Sequence, residues 1–285
     1  MEKIPVRNIR ATQKDTTFSE SFSIRDGADL LAGKDMIQEL HRHDFFYVLA
    51  LEKGAGYHEI DFIPYEVCDH SVFFMRPGQV HQLVLKAGST GFLMQFKAGL
   101  YAPKDKIRSQ LLRKAGSTNL YQPGATGFKK LQAVLTSIFQ EYTEQQQGYQ
   151  EVIKANLTVF LVELARLNNT GSPNKVSTYM QERLEHFLEL LETHIASHKQ
   201  VSQYADMLNL SPWQLNAITK ATLDKTCSEL IQEYIILEAK RYLLATSGQV
   251  IQIAGHLGYE DISYFIRFFK KHTGYSPEVF RHNFR

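Results

Sequence analysis

Between about residues 20 and 97 the apolar positions come in short runs. "FFYVLALEKG", "GYHEIDFIPYEV", "SVFFMRPG" and "QLVLKAG" are rich in β-branched and aromatic residues, and Gly and Pro punctuate them at hairpin spacing. Such a succession predicts short strands folded into a sandwich or barrel. Near Tyr101 the period changes. "FKKLQAVLTSIFQEYTEQQQ" and "YQEVIKANLTVFLVELARL" carry helical periodicity, with Gly148 between them. Leu157, Phe160, Leu161, Leu164 and Leu167 fall on one stripe. That stripe needs a partner, either the β-rich region or a second copy of the chain. "NNTGSPNK", residues 168–175, is dense in turn formers and reads as a linker. Everything after it is helical in pattern, broken at short turns.

The last third contains a repeat. "YADMLNLSPWQLNAITKATLDKTCSELI" can be laid over "IAGHLGYEDISYFIRFFKKHTGYSPEVF". Ala205 and Leu208 match Ala254 and Leu257; after one inserted residue, Leu215, Ile218, Lys220 and Leu230 match Phe265, Phe268, Lys270 and Phe280. Each copy predicts a short helix, a tight turn at Asn209 or Gly258, and a longer helix. Asp261 is placed to cap the longer helix of the second copy. Within that helix Phe265, Phe268 and Phe269 form an inward stripe, and Tyr264, Arg267 and Lys271 an outward one. An outer face of this kind is either solvated or suited to a DNA major groove, where Arg reaches guanine and Lys reaches phosphate. The duplication favours DNA. The segment between the copies, "SELIQEYIILEAKRYLLATS", predicts a helix of roughly 20 residues, about 30 Å long. Successive major grooves on one face of a duplex lie about 34 Å apart.

Composition narrows the remaining choices. At 285 residues, 44% hydrophobic and 22% charged, the chain is globular and long enough for two domains. A formal net charge of +2 gives no overall attraction for polyanions, so any such binding is local. From Asn174 to Arg285, 12 Lys and Arg stand against 12 Asp and Glu, whereas from Arg267 onward five basic residues face one acid. Glu182, Glu185, Glu189 and Glu192 cluster ahead of the repeat. The two cysteines, Cys68 and Cys227, offer neither a disulfide framework nor a CxxC pair. No signal-peptide pattern and no membrane-length apolar run is present, so a cytoplasmic protein is expected. Gly-rich phosphate loops, GxSxG and HExxH are absent from the sequence.

The second copy, "IAGHLGYEDISYFIRFFKKHTGYSPEVFR", resembles the signature of the AraC-type transcriptional regulators. Gly258, Ser263, Tyr264, Phe265, Arg267, Phe269, Lys270, Gly274, Ser276, Pro277 and Arg281 sit where that pattern wants them. "LSPWQLNAITKATLDKT" resembles the family's first motif, and the resemblance covers roughly Met180 to Arg285. It implies two helix-turn-helix units in adjacent major grooves of double-stranded promoter DNA. The DNA-binding residues it implies are Trp213, Gln214, Asn216 and Lys220 in the first unit, and Ile262, Ser263, Tyr264, Arg267, Lys270 and Lys271 in the second. Three positions depart from the pattern: Ala217 where many relatives have Arg, Asp224 where Gly is usual, and Cys227 where Pro or a small residue is usual. Ala217 cannot hydrogen-bond a base, so the first unit is expected to read fewer bases.

"HRHDFFYVLALEKGAGYHEIDF" and "MRPGQVHQL" resemble the two short motifs of a cupin barrel, which AraC-type regulators often carry as an effector sensor. Metal cupins use three histidines and a glutamate. His41, His43 and His81 match the histidines, but Tyr47 stands near the expected carboxylate. The expectation is therefore no metal, no cofactor and no catalytic residue. His41, His43, Tyr47, Tyr57 and His81 are candidates to bind an unidentified small-molecule effector, and Asp44 and His58 are lesser ones. The expected fold is multidomain α+β. A cupin-like β-barrel spans 1–100, a helical linker and dimerisation hairpin 101–173, and an all-α tandem helix-turn-helix domain 174–285. The expected protein is a bacterial, homodimeric, effector-controlled regulator that engages RNA polymerase if it is an activator. The alternative is a metal-dependent cupin enzyme fused to a DNA-binding module. A purely architectural DNA binder would leave the N-terminal half without a purpose.

Overall fold

A computed structural model describes residues 4–9, 16–101, 105–168 and 178–284. The expected linker lies outside the described residues from position 169 to 175. The chain divides into two compact units, one spanning Pro5–Pro173 and the other chiefly Asn174–Arg285.

Ten strands are described in the first unit: β1 (Val6–Arg7), β2 (Phe22–Asp26), β3 (Met36–His43), β4 (Phe46–Lys53), β5 (Gly56–Ile60), β6 (Ile63–Val67), β7 (Ser71–Met75), β8 (Val80–Leu85), β9 (Thr90–Phe96) and β10 (Leu120–Tyr121). They form two five-stranded sheets, in the orders β1-β3-β8-β5-β6 and β10-β7-β4-β9-β2. Six helices accompany them: α1 (Thr16–Ser19), α2 (Gly27–Leu31), α3 (Ala98–Tyr101), α4 (Lys106–Ala115), α5 (Gly124–Glu144) and α6 (Tyr149–Leu167). This is the expected barrel followed by a helical hairpin.

Strand β4 shows why its sequence is apolar without a break. Successive side chains point to opposite faces of a strand. Tyr47, Leu49 and Leu51 enter the barrel interior with Phe73, Met75, Leu83 and Leu93. Phe46, Val48 and Ala50 face outward and join Phe74, Met94 and Phe96 in a second cluster. That outer cluster is completed by the helices, through Phe128, Leu131 and Leu135 of α5 and Leu157, Phe160, Leu161 and Leu164 of α6. A sheet buried on both faces loses the alternation that marks a half-exposed one.

This packing decides between the two partners left open for the stripe. The Leu157–Leu164 stripe is not a dimer seam; it covers the outer face of the sheet, with Leu157, Phe160, Leu161 and Leu164 fully buried. Glutamate at Leu157 or Leu161 would put a charge into the core and unfold the unit rather than release monomers.

The second unit is all helical: α7 (Thr178–His194), α8 (Val201–Met207), α9 (Pro212–Leu223), α10 (Cys227–Ala245), α11 (Val250–His256), α12 (Ile262–Thr273) and α13 (Pro277–Phe284). The repeat is visible in its caps. Gln200 and Gln249 each open a short helix with a capping box closed by Gln203 and Gln252. Asn209 (φ 53°) and Gly258 (φ 73°) make the turns in the left-handed region. Asp224 (φ 57°) and Gly274 (φ 82°) end the longer helices in the same conformation. The connecting helix α10 has 19 residues, so it is about 28 Å long. Arg281 ties α13 back to its end, with Nε donating to the Leu243 carbonyl at 3.0 Å and a guanidinium nitrogen donating to that of Gly248.

Candidate functional site

The second unit presents two comparable outer faces, one on α9 and one on α12. On α12, Asp261 caps the helix and accepts from the backbone N–H groups of Ser263 (2.7 Å) and Tyr264 (3.1 Å). Phe265 and Phe269 are fully buried, while Phe268 is half-buried and packs against the core built around α7, α8 and α9. Ser263, Tyr264, Arg267, Lys270 and Lys271 are all exposed, Tyr264 by 54%. At 100° per residue these five occupy roughly a third of the helix circumference. Ile262 is half-buried at the helix start.

On α9 the equivalent positions are Trp213, Gln214, Ala217, Lys220 and Ala221. Trp213 is 78% exposed. Gln214 is partly committed: its side-chain carbonyl accepts from the Ser211 N–H at 2.8 Å, and Ser211 Oγ caps the Gln214 N–H in return. Asn216 departs from its expected exposed position. It is half-buried, and its Oδ1 accepts from the backbone N–H of Cys227 at 2.9 Å. Its counterpart in the repeat is Ile266, also half-buried. Asn216 therefore joins α9 to the start of α10 and does not belong to the outer face.

In the first unit the structure gathers four histidines. His41 and His43, two apart on β3, point the same way, and His81 is the cross-strand partner of His41 on β8. A register shift between Gln38 and His41 changes the phase of β3. Burial consequently switches from even to odd positions, and His41 and His43 turn inward. His43 Nε2 lies 2.8 Å and His41 Nε2 3.1 Å from His81 Nε2. Behind them, His58 Nε2 lies 2.8 Å from His81 Nδ1. One ligand nitrogen from each of His41, His43 and His81 lies within 4.8 Å of the other two, and all three residues are buried. They could hold a metal ion. Burial lowers the pKa of His41 to about 4 and of His43 and His58 to about 3, and it lowers that of His81 as well. All four rings are neutral at pH 7.

Tyr47 faces this cluster, its ring stacked on His43 with centroids 5.4 Å apart. Its buried hydroxyl and the buried Nδ1 of His58 have no hydrogen-bond partner among the described residues. Tyr57 does not join the cluster. It neighbours His58 on β5, so it points to the opposite face, where its hydroxyl donates to Glu59 at 2.7 Å. Asp44 is exposed, 3.9 Å from Lys97 Nζ. Of that adjacent Tyr57–His58 pair, the sequence could not say which side chain points inward; the pairing register of β5 with β8 decides it for His58.

Comparison with known proteins matches each unit separately. Residues 34–161 fit the family model of an AraC-like ligand binding domain, and residues 204–283 fit that of a helix-turn-helix domain. Together, and in this order, they span both units. The chain is a member of the AraC family. Among curated members, the HTH-type transcriptional activator RhaS of Pectobacterium carotovorum subsp. carotovorum is 25% identical over 255 residues, covering 85% of this chain and 87% of the relative. RhaS of Escherichia coli O157:H7 is 25% identical over 252 residues, covering 85% and 86%. Among solved structures, fatty-acid-bound ToxT from Vibrio cholerae aligns with a TM-score of 0.41 at 15% identity, covering 92% of this chain and 95% of that one. This AraC-family chain thus pairs a ligand-binding barrel with a DNA-binding tandem motif. Among its described residues no helix is long and apolar enough to cross a membrane.

Proposed function

We propose that this AraC-family protein is a homodimeric, cytoplasmic regulator that reads promoter DNA with α9 and α12. A small molecule held near His41, His43, Tyr47, His58 and His81 controls it. The observation that carries the DNA reading is the outer face of α12, where Ser263, Tyr264, Arg267, Lys270 and Lys271 are exposed together over the buried Phe265 and Phe269. Tyr and Arg there suit base edges and Lys suits phosphate. Because the whole unit is formally neutral, affinity for arbitrary sequence is modest and its salt dependence shallow. No catalytic step is assigned to the barrel. RNA polymerase is the further partner if the protein activates.

The dimer reading moves to the other side of α6. Val152, Ala155 and Val159 are exposed and Val162 is half-buried. Their spacing of three, four and three residues is that of a coiled-coil seam. Glutamate at Val152 and Val159 together is expected to give folded monomers by sedimentation; a dimer that survives moves the interface elsewhere.

Selection of purified protein on random duplex DNA tests the main proposal. Enrichment of a site with two half-elements about one helical turn apart supports a tandem reader. No enrichment, either by the full chain or by residues 174–285 alone, sinks it.

A further inference from the structure

We propose that Tyr259 and Lys199 are positioning residues for DNA reading: they hold the Tyr264 ring in place on the outer face of α12. The inference rests on the reading of α12 as a DNA-contacting helix. It goes beyond that reading because Lys199 precedes α8 and so belongs to the other helix-turn-helix motif.

An exposed tyrosine on a helix has free side-chain rotamers, and ordering the ring opposes any base contact it makes. The two motifs meet this problem differently at the equivalent position. In the first, the capping box fixes Gln214, whose side-chain carbonyl accepts from the Ser211 N–H at 2.8 Å. In the second, the Asp261 carboxylate accepts only from the backbone N–H groups of Ser263 and Tyr264, and the Tyr264 side chain takes no part in the cap. The Tyr264 ring lies instead beside Tyr259, with centroids 6.0 Å apart and planes 27° from parallel. That separation is in the range of an offset stack. Leu210 stands at the place of Tyr259 in the first motif, so the stack belongs to the second alone.

Tyr259 is itself held. It is half-buried, with its ring 5.2 Å from that of Phe265 and 5.9 Å from that of Phe268. It packs against the core cluster built from α7, α8, α9 and the first half of α10. Lys199 Nζ sits 5.1 Å from its ring centre, within the range where an ammonium is attracted to an aromatic face. That nitrogen is fixed in turn by donating to the Ala196 carbonyl at 3.0 Å, and the Lys199 N–H donates to Gln203 Oε1 at 3.0 Å. Gly258 makes the approach possible, since a Cβ there would lie 1.8 Å from the Ala196 oxygen and 2.6 Å from Lys199 Nζ. The line of contacts runs from Ala196 through Lys199 and Tyr259 to Tyr264. The entry loop of the first motif thereby helps to set the reading face of the second.

The test is selection of the full chain on random duplex DNA, read base by base. Tyr264→Ala identifies the base position that Tyr264 reads. Tyr259→Leu, which copies Leu210 of the first motif, should lower the preference at that same position about 2–10-fold, the worth of one aromatic pair. Lys199→Met should lower it in the same direction. Tyr259→Phe keeps the ring and should leave the preference unchanged. The half-element read by α9 should be unaffected in all three. In the Tyr264→Ala background, Tyr259→Leu should add nothing, whereas a merely structural residue would add a loss across both half-elements. An unchanged preference in Tyr259→Leu and Lys199→Met, a loss spread evenly over both half-elements, or no preference lost in Tyr264→Ala overturns the positioning role. A second readout needs no DNA. With fluorotyrosine incorporated, the fluorine resonance of Tyr264, assigned by its loss in Tyr264→Phe, should shift in Tyr259→Leu and in Lys199→Met. A protein that enriches DNA but whose Tyr264 resonance ignores both changes refutes the positioning role alone. One that enriches no DNA while the resonance shifts as expected refutes the regulator reading alone.

Discussion

The two helix-turn-helix units share a backbone plan but have diverged on the surfaces it supports. On α12 the outer face is Ser263, Tyr264, Arg267, Lys270 and Lys271; on α9 it is Trp213, Gln214, Ala217, Lys220 and Ala221. Three cations stand against one. The first unit keeps a large exposed apolar ring at Trp213 where the second has Ser263, and it lacks an arginine. It can meet DNA through apolar contact and a phosphate, whereas the second unit can hydrogen-bond base edges. Their turns differ as well. Asn209 carries a side chain at its turn, but a Cβ at Gly258 would lie 1.8 Å from the Ala196 carbonyl oxygen. Next to it, Lys199 Nζ sits 5.1 Å from the centre of the Tyr259 ring. The turn of the second unit is therefore docked on the loop leading into α8. The same scaffold carries a proposed reading face in both copies and, in the second, a docked turn as well.

The largest expected effect tests the docked turn. Gly258→Ala adds a clash with backbone to a left-handed residue, and about 2–4 kcal/mol of stability should be lost. Asn209→Ala, which lacks the clash, should cost about 1 kcal/mol. Equal losses in chemical denaturation would show that the two turns are equivalent after all. Next is the reading face. Arg267→Ala should cost about 1–3 kcal/mol of specific DNA affinity and relax one base position. Trp213→Ala should relax the other half-element without changing the salt slope. If the Arg267 variant binds its selected site unchanged, the asymmetry between the faces has no role in reading.

How much of this was legible in the sequence depends on what fixed each feature. The repeat was readable because Ala205 and Ala254, or Leu215 and Phe265, obey local helical spacing. That His41 and His43 share one face was readable from their spacing of two, but that this face points inward was not, because the register shift in β3 sets it. The direction of the α6 stripe was not, because the acceptor surface consists of alternate residues of β4, β7 and β9, brought together only by the sheet. Tyr57 was misplaced for the same reason: adjacent residues of one strand face opposite ways, and only register says which faces in. Asn216 was misread because its partner is a backbone N–H eleven residues away.

That last contact defines a smaller test. Where the second unit has Pro277, which lacks an N–H, it has the apolar Ile266; where the first has Cys227, whose N–H needs a partner, it has Asn216. The two copies solve the same helix start in two self-consistent ways. Asn216→Ala should orphan the donor and cost about 1–2 kcal/mol of stability. Adding Cys227→Pro removes that donor and should recover part of the loss, since Pro is well suited to the first helical position. Purely additive effects would show that the pair is not coupled.

The smallest expected effect concerns the ends of the two reading helices. Asp224 and Gly274 occupy the same left-handed cap, but only glycine does so without steric cost. Asp224 also puts a negative charge at the negative end of the helix dipole. Asp224→Gly relieves both, against the greater entropy of glycine in the unfolded chain, so a net gain of about 0.5 kcal/mol is expected. Gly274→Asp should lose a comparable amount. If Asp224 lies near phosphate, its removal should also strengthen binding to all sequences alike and steepen the salt dependence. A stability gain with unchanged DNA binding would place that end of α9 away from the duplex, leaving Trp213 at the other end as the contact of the first unit.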